Sequence, residues 1–527
     1  MTTISHATLN SRLTGISIFD DRVLQFRGLK FASVSKRFAR AELFDKYPSE
    51  LDCTRHGPIC PQEPPDSQVD FFGIPANLQK GKFGPTFDEL ECLNLAVVVP
   101  KSHIANISSG RKLPVLVNIH GGANRRGAGC TPVQDLAGLG AASVTHGKEV
   151  ICVALNYRLN VFGYGVLPNG EGSNNGLFDQ QVGLVWVKKH IAGFGGDPEN
   201  ITLSGSSSGA LSVDAQLHAS SPVGKGLFKR AVMQSGCIDI GAPKSREKMV
   251  RTTQRVADSV EQSGGEKDED WVEKLRNASV RQVIGGLVQA QVRKWCLTDD
   301  DTFFPSPWDQ EAVGIPDWCE SIITGDCGFE SYVWYPQIAP ASGTAIHKAF
   351  SGIEKHSSRI LETYKVPAPS QESTPALRAA AFAFISDGVY SYPAHKLASR
   401  WRAAGKKVYE HCFDQANPYT PELRGAHHGV DLLYLFPNYE LPEKDAVVAG
   451  EFQKHVLEFC RSGKAWEVKD GQVMGYGPAG KVGVVEKKDR RRVAEWEDSL
   501  ELLGRVELVQ AIESILKIQP EPTGAKF

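Results

Sequence analysis

The chain predicts an α/β fold in which a large, mostly parallel central sheet is flanked by helices. Three observations carry this expectation. Apolar runs of strand length recur at residues 113–119, 149–155 and 228–234. A helix-like stretch, residues 183–191, falls between the second and third of these runs. It leads through a glycine-rich turn at 193–196 into another strand-like run at 200–204. Continuous apolar strands alternating with helical segments mark a sheet covered on both faces, since a strand with one wet face would alternate polar and apolar residues.

At 527 residues the length accommodates two or three domains, or one large α/β domain carrying insertions. The second organisation is expected, a single domain over residues 1–527. Charged helical segments without strands fill about 246–316, and a second helical stretch covers about 343–404. No flexible linker or repeat introduces either one, so both read as insertions that wall a pocket. Strand character resumes at 407–413, and residues 496–516 have the apolar spacing of a helix that packs back on the sheet.

A net charge of −2 favours neither nucleic acid nor an anionic membrane surface. No apolar run has the length needed to span a bilayer. Residues 1–10 lack the basic and apolar regions of a secretory leader, so a cytoplasmic protein is expected. Eleven cysteines without a framework spacing imply mostly free thiols. Cys53-x2-His56-x3-Cys60 has no second ligand pair to complete a zinc site, so no metal is expected. The sequons at Asn106, Asn200 and Asn277 are expected to stay unmodified.

Gly205-Ser206-Ser207-Ser208-Gly209 lies between the strand-like run 200–204 and the helix-like run 210–217. A G-x-S-x-G sequence in strand–turn–helix context is the nucleophile elbow of serine hydrolases, and its spacing selects Ser207 from three successive hydroxyls. Acyl transfer by serine also needs oxyanion donors, a base and a carboxylate that orients the base. His120-Gly121-Gly122-Ala123 directly follows the strand ending at Ile119 and offers the N–H groups of Gly122 and Ala123, with Ser208 supplying a third. The base must follow the nucleophile in the chain order Ser, acid, His. The glycine-flanked pair His427-His428 fits, and chemistry alone divides the role between them. Residues 322–330 read as a short strand running into a loop that ends at Glu330, with Asp326 as competitor for the acid.

These segments resemble the type-B carboxylesterase/lipase family, which includes the cholinesterases, within the α/β-hydrolase fold. The densest likeness runs from Asn175-Gly-Leu-Phe-Asp-Gln180 through Phe194-Gly-Gly-Asp-Pro198 to the elbow. Asn156-Tyr-Arg-Leu-Asn-Val-Phe-Gly163, Gln234-Ser-Gly236 and Glu91-Cys-Leu-Asn-Leu95 also match, and together the motifs cover about 25–436. The resemblance implies hydrolysis of a small-molecule carboxylic ester through an acyl-enzyme, without a cofactor. It makes Ser207 the nucleophile, Glu330 the acid and His428 the base. Acyl transfer or lactone opening by the same triad is the alternative; a non-catalytic cholinesterase-like binding protein is the remote one, opposed by the complete triad. Arg158 and Asp179 match a structural ion pair of the family. Cys60 and Cys92 match a disulfide of secreted relatives, and a reducing compartment would keep them as thiols.

Three departures stand out. Relatives usually carry Glu where this chain has Ser206, which removes an anionic charge beside the nucleophile and argues against a choline ester. Ser208 replaces a usual Ala, keeping the N–H and adding a hydroxyl near the oxyanion. Asn124-Arg125-Arg126 stands where an aromatic is usual. A more polar pocket mouth, accepting an acidic or oxygenated ester, would follow from that change.

Overall fold

The computed structural model describes residues 1–63, 70–79, 84–107, 110–261, 270–309, 313–353, 356–467, 469–503 and 505–517. They form two compact units. The first comprises residues 1–322, 432–441 and 449–465; the second comprises 323–431, 442–448 and the described residues from 466 onward.

In the first unit the main strands are β1 (Thr2–His6), β2 (Ser11–Ile18), β3 (Val23–Lys30), β4 (Asn94–Pro100), β5 (Leu113–Ile119), β6 (Ile151–Leu155), β7 (Gly196–Ser206) and β8 (Arg230–Gln234). They lie in the order β1-β2-β3-β4-β6-β5-β7-β8. Pairing is antiparallel from β1 to β6 and parallel from there to β8. The parallel strands are the apolar runs predicted from sequence, and every residue of β6 and β8 is buried. Helices Ala137–Thr145, Asn175–His190 and Ser208–Leu217 make the crossovers that parallel neighbours require. The antiparallel edge is an addition to the predicted pattern. Its strand β2 alternates buried and half-exposed residues, as a sheet with one wet face does.

Of the charged segment expected to be helical over about 246–316, the part up to 289 is helical, with helices Arg246–Asp258, Trp271–Asn277 and Val280–Gln289. The described residues from 290 to 316 form no helix, and Thr298–Asp299 pairs as a short strand with Lys244–Ser245. The last of the three helices begins with a capping box, in which Ser279 and Gln282 satisfy each other's backbone N–H groups.

Strand β9 (Ser321–Cys327) leads into the second unit, where its neighbours run β9-β10-β11-β12, with β10 at Lys407–Phe413, β11 at Gln472–Tyr476 and β12 at Val482–Glu486. Helices Gly343–Ser351, Ser357–Thr363, Thr374–Ser386 and Tyr392–Ala403 occupy the second predicted insertion. They share a core with the C-terminal segment, in which Ile346, Leu377 and Phe384 meet Trp496, Ile512 and Ile515. The C-terminal helix, Arg505–Leu516, therefore packs on these helices and not on the sheet, as its apolar stripe alone had suggested.

Candidate active site

Strand β7 ends at Ser206 and the next helix begins at Ser208, so Ser207 alone makes the turn. Its backbone sits at φ 58°, ψ −126°, a region that non-glycine residues rarely enter and that persists only when the surroundings over-determine it. Here they do. Ser207 N–H donates to the Gln234 carbonyl at the end of β8 (2.9 Å), and its carbonyl accepts Leu211 N–H (3.0 Å) to start the helix. The flanking glycines act through closeness, since neither has a positive φ. A Cβ on Gly209 would come within 2.2 Å of the Ile119 carbonyl oxygen, and one on Gly205 within 2.4 Å of the Gly209 carbonyl carbon. Of the three serines, Ser206 and Ser208 are buried while Ser207 is partly exposed.

The register Gly205↔Ile119 places the end of β5 beside the elbow. From there the chain turns through three successive positive φ angles, 128° at Gly122, 60° at Ala123 and 53° at Asn124. Glycine is required at 122, where an added Cβ would sit 1.9 Å from the Arg126 carbonyl oxygen. His120 stacks on Tyr157 at 4.4 Å between ring centroids, and the Tyr157 hydroxyl donates to the His120 carbonyl (2.7 Å). Burial pushes His120 down to about 4, so it stays neutral above that pH. Arg125 is paired with Glu63, which offsets the positive charge predicted for the pocket mouth.

In the second unit, Glu330 opens a short helical turn, Glu330–Trp334, just past β9. It is fully buried. One carboxylate oxygen accepts Cys327 N–H (2.6 Å), and the other accepts the Nδ1 proton of His428. That bond fixes the tautomer and leaves Nε2 of His428 as the basic nitrogen. The loop is held by a bridge between Phe329 and His427, with Phe329 N–H donating to the Ala426 carbonyl (2.8 Å) and His428 N–H to the Phe329 carbonyl (3.2 Å). Glu330 and His428 are thus brought together across 98 residues of sequence.

The two rivals are otherwise engaged. Asp326 is held by Arg491 at 2.8 Å, and that guanidinium keeps its carboxyl below the usual range despite burial. His427 donates from Nδ1 to the His428 carbonyl (2.9 Å) and accepts from Asn417 at Nε2 (3.0 Å). Burial pushes it down to about 3.

Other residues act here that sequence reasoning did not single out. Tyr390 lies with its ring centroid 4.7 Å from that of His428, on a π-helical turn, Asp387–Ser391, interrupting an otherwise regular helix. Such wide turns recur at functional sites. Ser386, just before it, accepts from Ser331 N–H (3.0 Å) and donates to the Ser331 hydroxyl (2.9 Å), securing the residue after Glu330. An aromatic at the end of a helical run carries no signal that it faces a histidine 38 positions away.

The buried pair expected of Arg158 and Asp179 is present, with Nε–Oδ2 at 2.8 Å and Nη2–Oδ1 at 2.7 Å. Cys60 and Cys92 are buried, unpaired cysteines.

A family profile described as "Carboxylesterase family" matches residues 3–472, a wider span than the sequence motifs cover. Lipase 3 of Yarrowia lipolytica is 30% identical over 499 residues, 93% of this chain and 95% of that protein. The para-nitrobenzyl esterase of Bacillus subtilis is 35% identical over 223 residues, 41% of each chain. A solved PNB esterase structure superposes with a TM-score of 0.73 at 22% identity, covering 93% of this chain and 98% of that one. The fold is that of the α/β-hydrolases.

Proposed function

The chain belongs to the carboxylesterase family and is a carboxylic ester hydrolase; we propose that Ser207 is its nucleophile, His428 its general base and Glu330 the carboxylate that orients the base. The observation that carries this reading is the partly exposed Ser207, held in a strained turn at the end of a parallel strand. The Glu330–His428 hydrogen bond supports it from the second unit.

The substrate is a small-molecule ester. The Ser207 hydroxyl adds to the ester carbonyl as its proton passes to Nε2 of His428, and Glu330 stabilises the imidazolium that results. Negative charge develops on the former carbonyl oxygen, and the N–H groups of Gly122, Ala123 and Ser208 receive it. His428 then protonates the departing alkoxide, leaving an acyl-Ser207 ester. Water repeats the sequence, its proton going to His428 and its oxygen to the acyl carbon, and Ser207 is regenerated as the acid leaves. With Ser206 in place of an anionic neighbour, a cationic alcohol group gains no charge partner from that position.

A fluorophosphonate probe tests the nucleophile. It forms a serine–phosphorus bond with loss of fluoride, and peptide mass spectrometry is expected to find the adduct on Ser207. Ser207→Ala should abolish labelling and lower kcat on p-nitrophenyl esters by roughly 10⁴-fold or more. Labelling of Ser206 or Ser208, or persistent turnover in Ser207→Ala, overturns the assignment. A series of p-nitrophenyl esters of rising chain length reads out the acyl preference.

A further inference from the structure

The oxyanion turn faces a conformational difficulty. Two of its residues, Ala123 and Asn124, are non-glycines with φ of 60° and 53°. Asn accepts the left-handed region readily, whereas Ala does not. If Gly122 and Ala123 relaxed out of that shape, their N–H groups would lose their aim. Something must hold the turn at both of its ends.

The structure supplies bonds at both ends. Asn124 N–H donates to the Ser208 hydroxyl oxygen (3.2 Å, buried), which holds the residue after the donors. The Tyr157 hydroxyl donates to the His120 carbonyl (2.7 Å), which holds the residue before the turn. A second clamp comes from the helical insertion. Trp295 N–H donates to the Ala123 carbonyl (3.1 Å), and the Trp295 carbonyl accepts from the Asn124 side-chain amide (3.1 Å). The Asn124 carbonyl is taken by Asn160 N–H (2.7 Å).

We propose that the Ser208 hydroxyl, which accepts from Asn124 N–H, is a positioning group that fixes the oxyanion turn for catalysis. Its backbone N–H is a donor in the oxyanion hole, but its side chain acts on the other two donors by holding their loop. Removing the hydroxyl leaves Asn124 N–H without its acceptor in a buried place. Ser208 and Asn124 both depart from the residues usual in the family, and the structure brings these two departures into direct contact.

The proposal rests on Ser207 as nucleophile and on Gly122, Ala123 and Ser208 as oxyanion donors, and the test separates the two. Ser208→Ala and Tyr157→Phe each keep every backbone N–H and the bulk of the side chain. Each is expected to lower kcat about tenfold with KM unchanged, the effect of one lost buried hydrogen bond felt only in the transition state. Affinity for a trifluoromethyl ketone, whose hemiketal oxygen occupies the oxyanion hole, should fall by the same factor. Ser208→Thr, which restores the hydroxyl, should recover most of kcat, and it carries the test if Ser208→Ala fails to fold. Wild-type kcat in Ser208→Ala or a loss confined to KM would each overturn the proposal. If Ser207→Ala is inactive while Ser208→Ala is normal, only the brace is wrong. If Ser207→Ala turns over ester, the underlying assignment fails instead.

Discussion

Glu330 and Asp326 lie four positions apart on one strand-to-loop segment, and nothing in their immediate sequence separates an acid that orients a histidine from one that anchors an arginine. The partners decide it. Glu330 meets His428, and Asp326 meets Arg491, a residue 165 positions further on. Glu330→Gln keeps the shape but weakens the hold on the Nδ1 proton, and is expected to lower kcat by roughly a thousandfold with little change in melting temperature. Asp326→Asn should do the reverse. It leaves a buried guanidinium short of one of its carboxylates, at a cost of about 3 kcal/mol in stability, while folded molecules turn over normally. Thermal melts beside initial rates read both outcomes, and an inactive but stable Asp326→Asn would reverse the assignment. The histidine pair behaves alike. Sequence chemistry could not separate His427 from His428, because what distinguishes them is a carboxylate 98 residues away. With His427 held at about 3 by burial, the acid limb of kcat/KM between pH 5 and 8 should fit one ionisation, and His427→Gln should leave its midpoint in place. A second ionisation that vanishes in that variant would contradict this.

At the scale of elements, the legible parts were those whose signal is local. Strand β5 falls on the residues its apolar run predicts, since a strand buried on both faces needs no partner to be recognised. The elbow is legible for the same reason, as its glycines, serine and flanking strand are contiguous. The antiparallel edge, β1 to β3, went unpredicted because its strands pair by register, which composition does not reveal. The π-helical turn at Asp387–Ser391 is likewise silent in sequence. Where a distant contact was foreseen, the resemblance supplied it, as with Arg158 and Asp179. This pair joins the segment after β6 to the helix Asn175–His190 that leads to the elbow strand, and Arg158 also donates to the Ala39 carbonyl (2.8 Å). Both side chains are essentially fully buried. Asp179→Ala strands a buried guanidinium and is expected to cost about 3–5 kcal/mol in urea unfolding, whereas Arg158→Met with Asp179→Leu together should recover part of that loss. Equal instability in the single and double variants would show that packing and not the stranded charge is at fault.

Over the whole molecule, burial moves a set of histidines in one direction. It pushes His6, His120, His190, His395 and His411 down to about 4, and His56 and His427 to about 3. An unfolded chain binds a proton at each of these side chains near pH 6.5, but the folded protein does not until pH 3 or 4. Between those limits the unfolded state holds more protons, so stability rises with pH and falls as the solution is acidified. It is fully present above about pH 7. Each group contributes a slope approaching 1.4 kcal/mol per pH unit once its unfolded form is protonated. Several acting together are enough to exhaust a typical stability of about 5–15 kcal/mol within two or three units. The carboxylates do not reverse the trend. Burial raises Asp135 and Asp387, which resists acid, while cationic partners hold Asp326 and Glu410 low and so favour unfolding below about pH 4. The urea midpoint should therefore be flat from about pH 8 to 7, decline from about pH 6.5, and reach zero by roughly pH 4 to 4.5. His411→Asn, which removes one such imidazole from the second unit, should make the decline shallower. A midpoint that holds constant down to pH 5 would mean that these imidazoles gain protons in the folded protein as easily as in the unfolded chain.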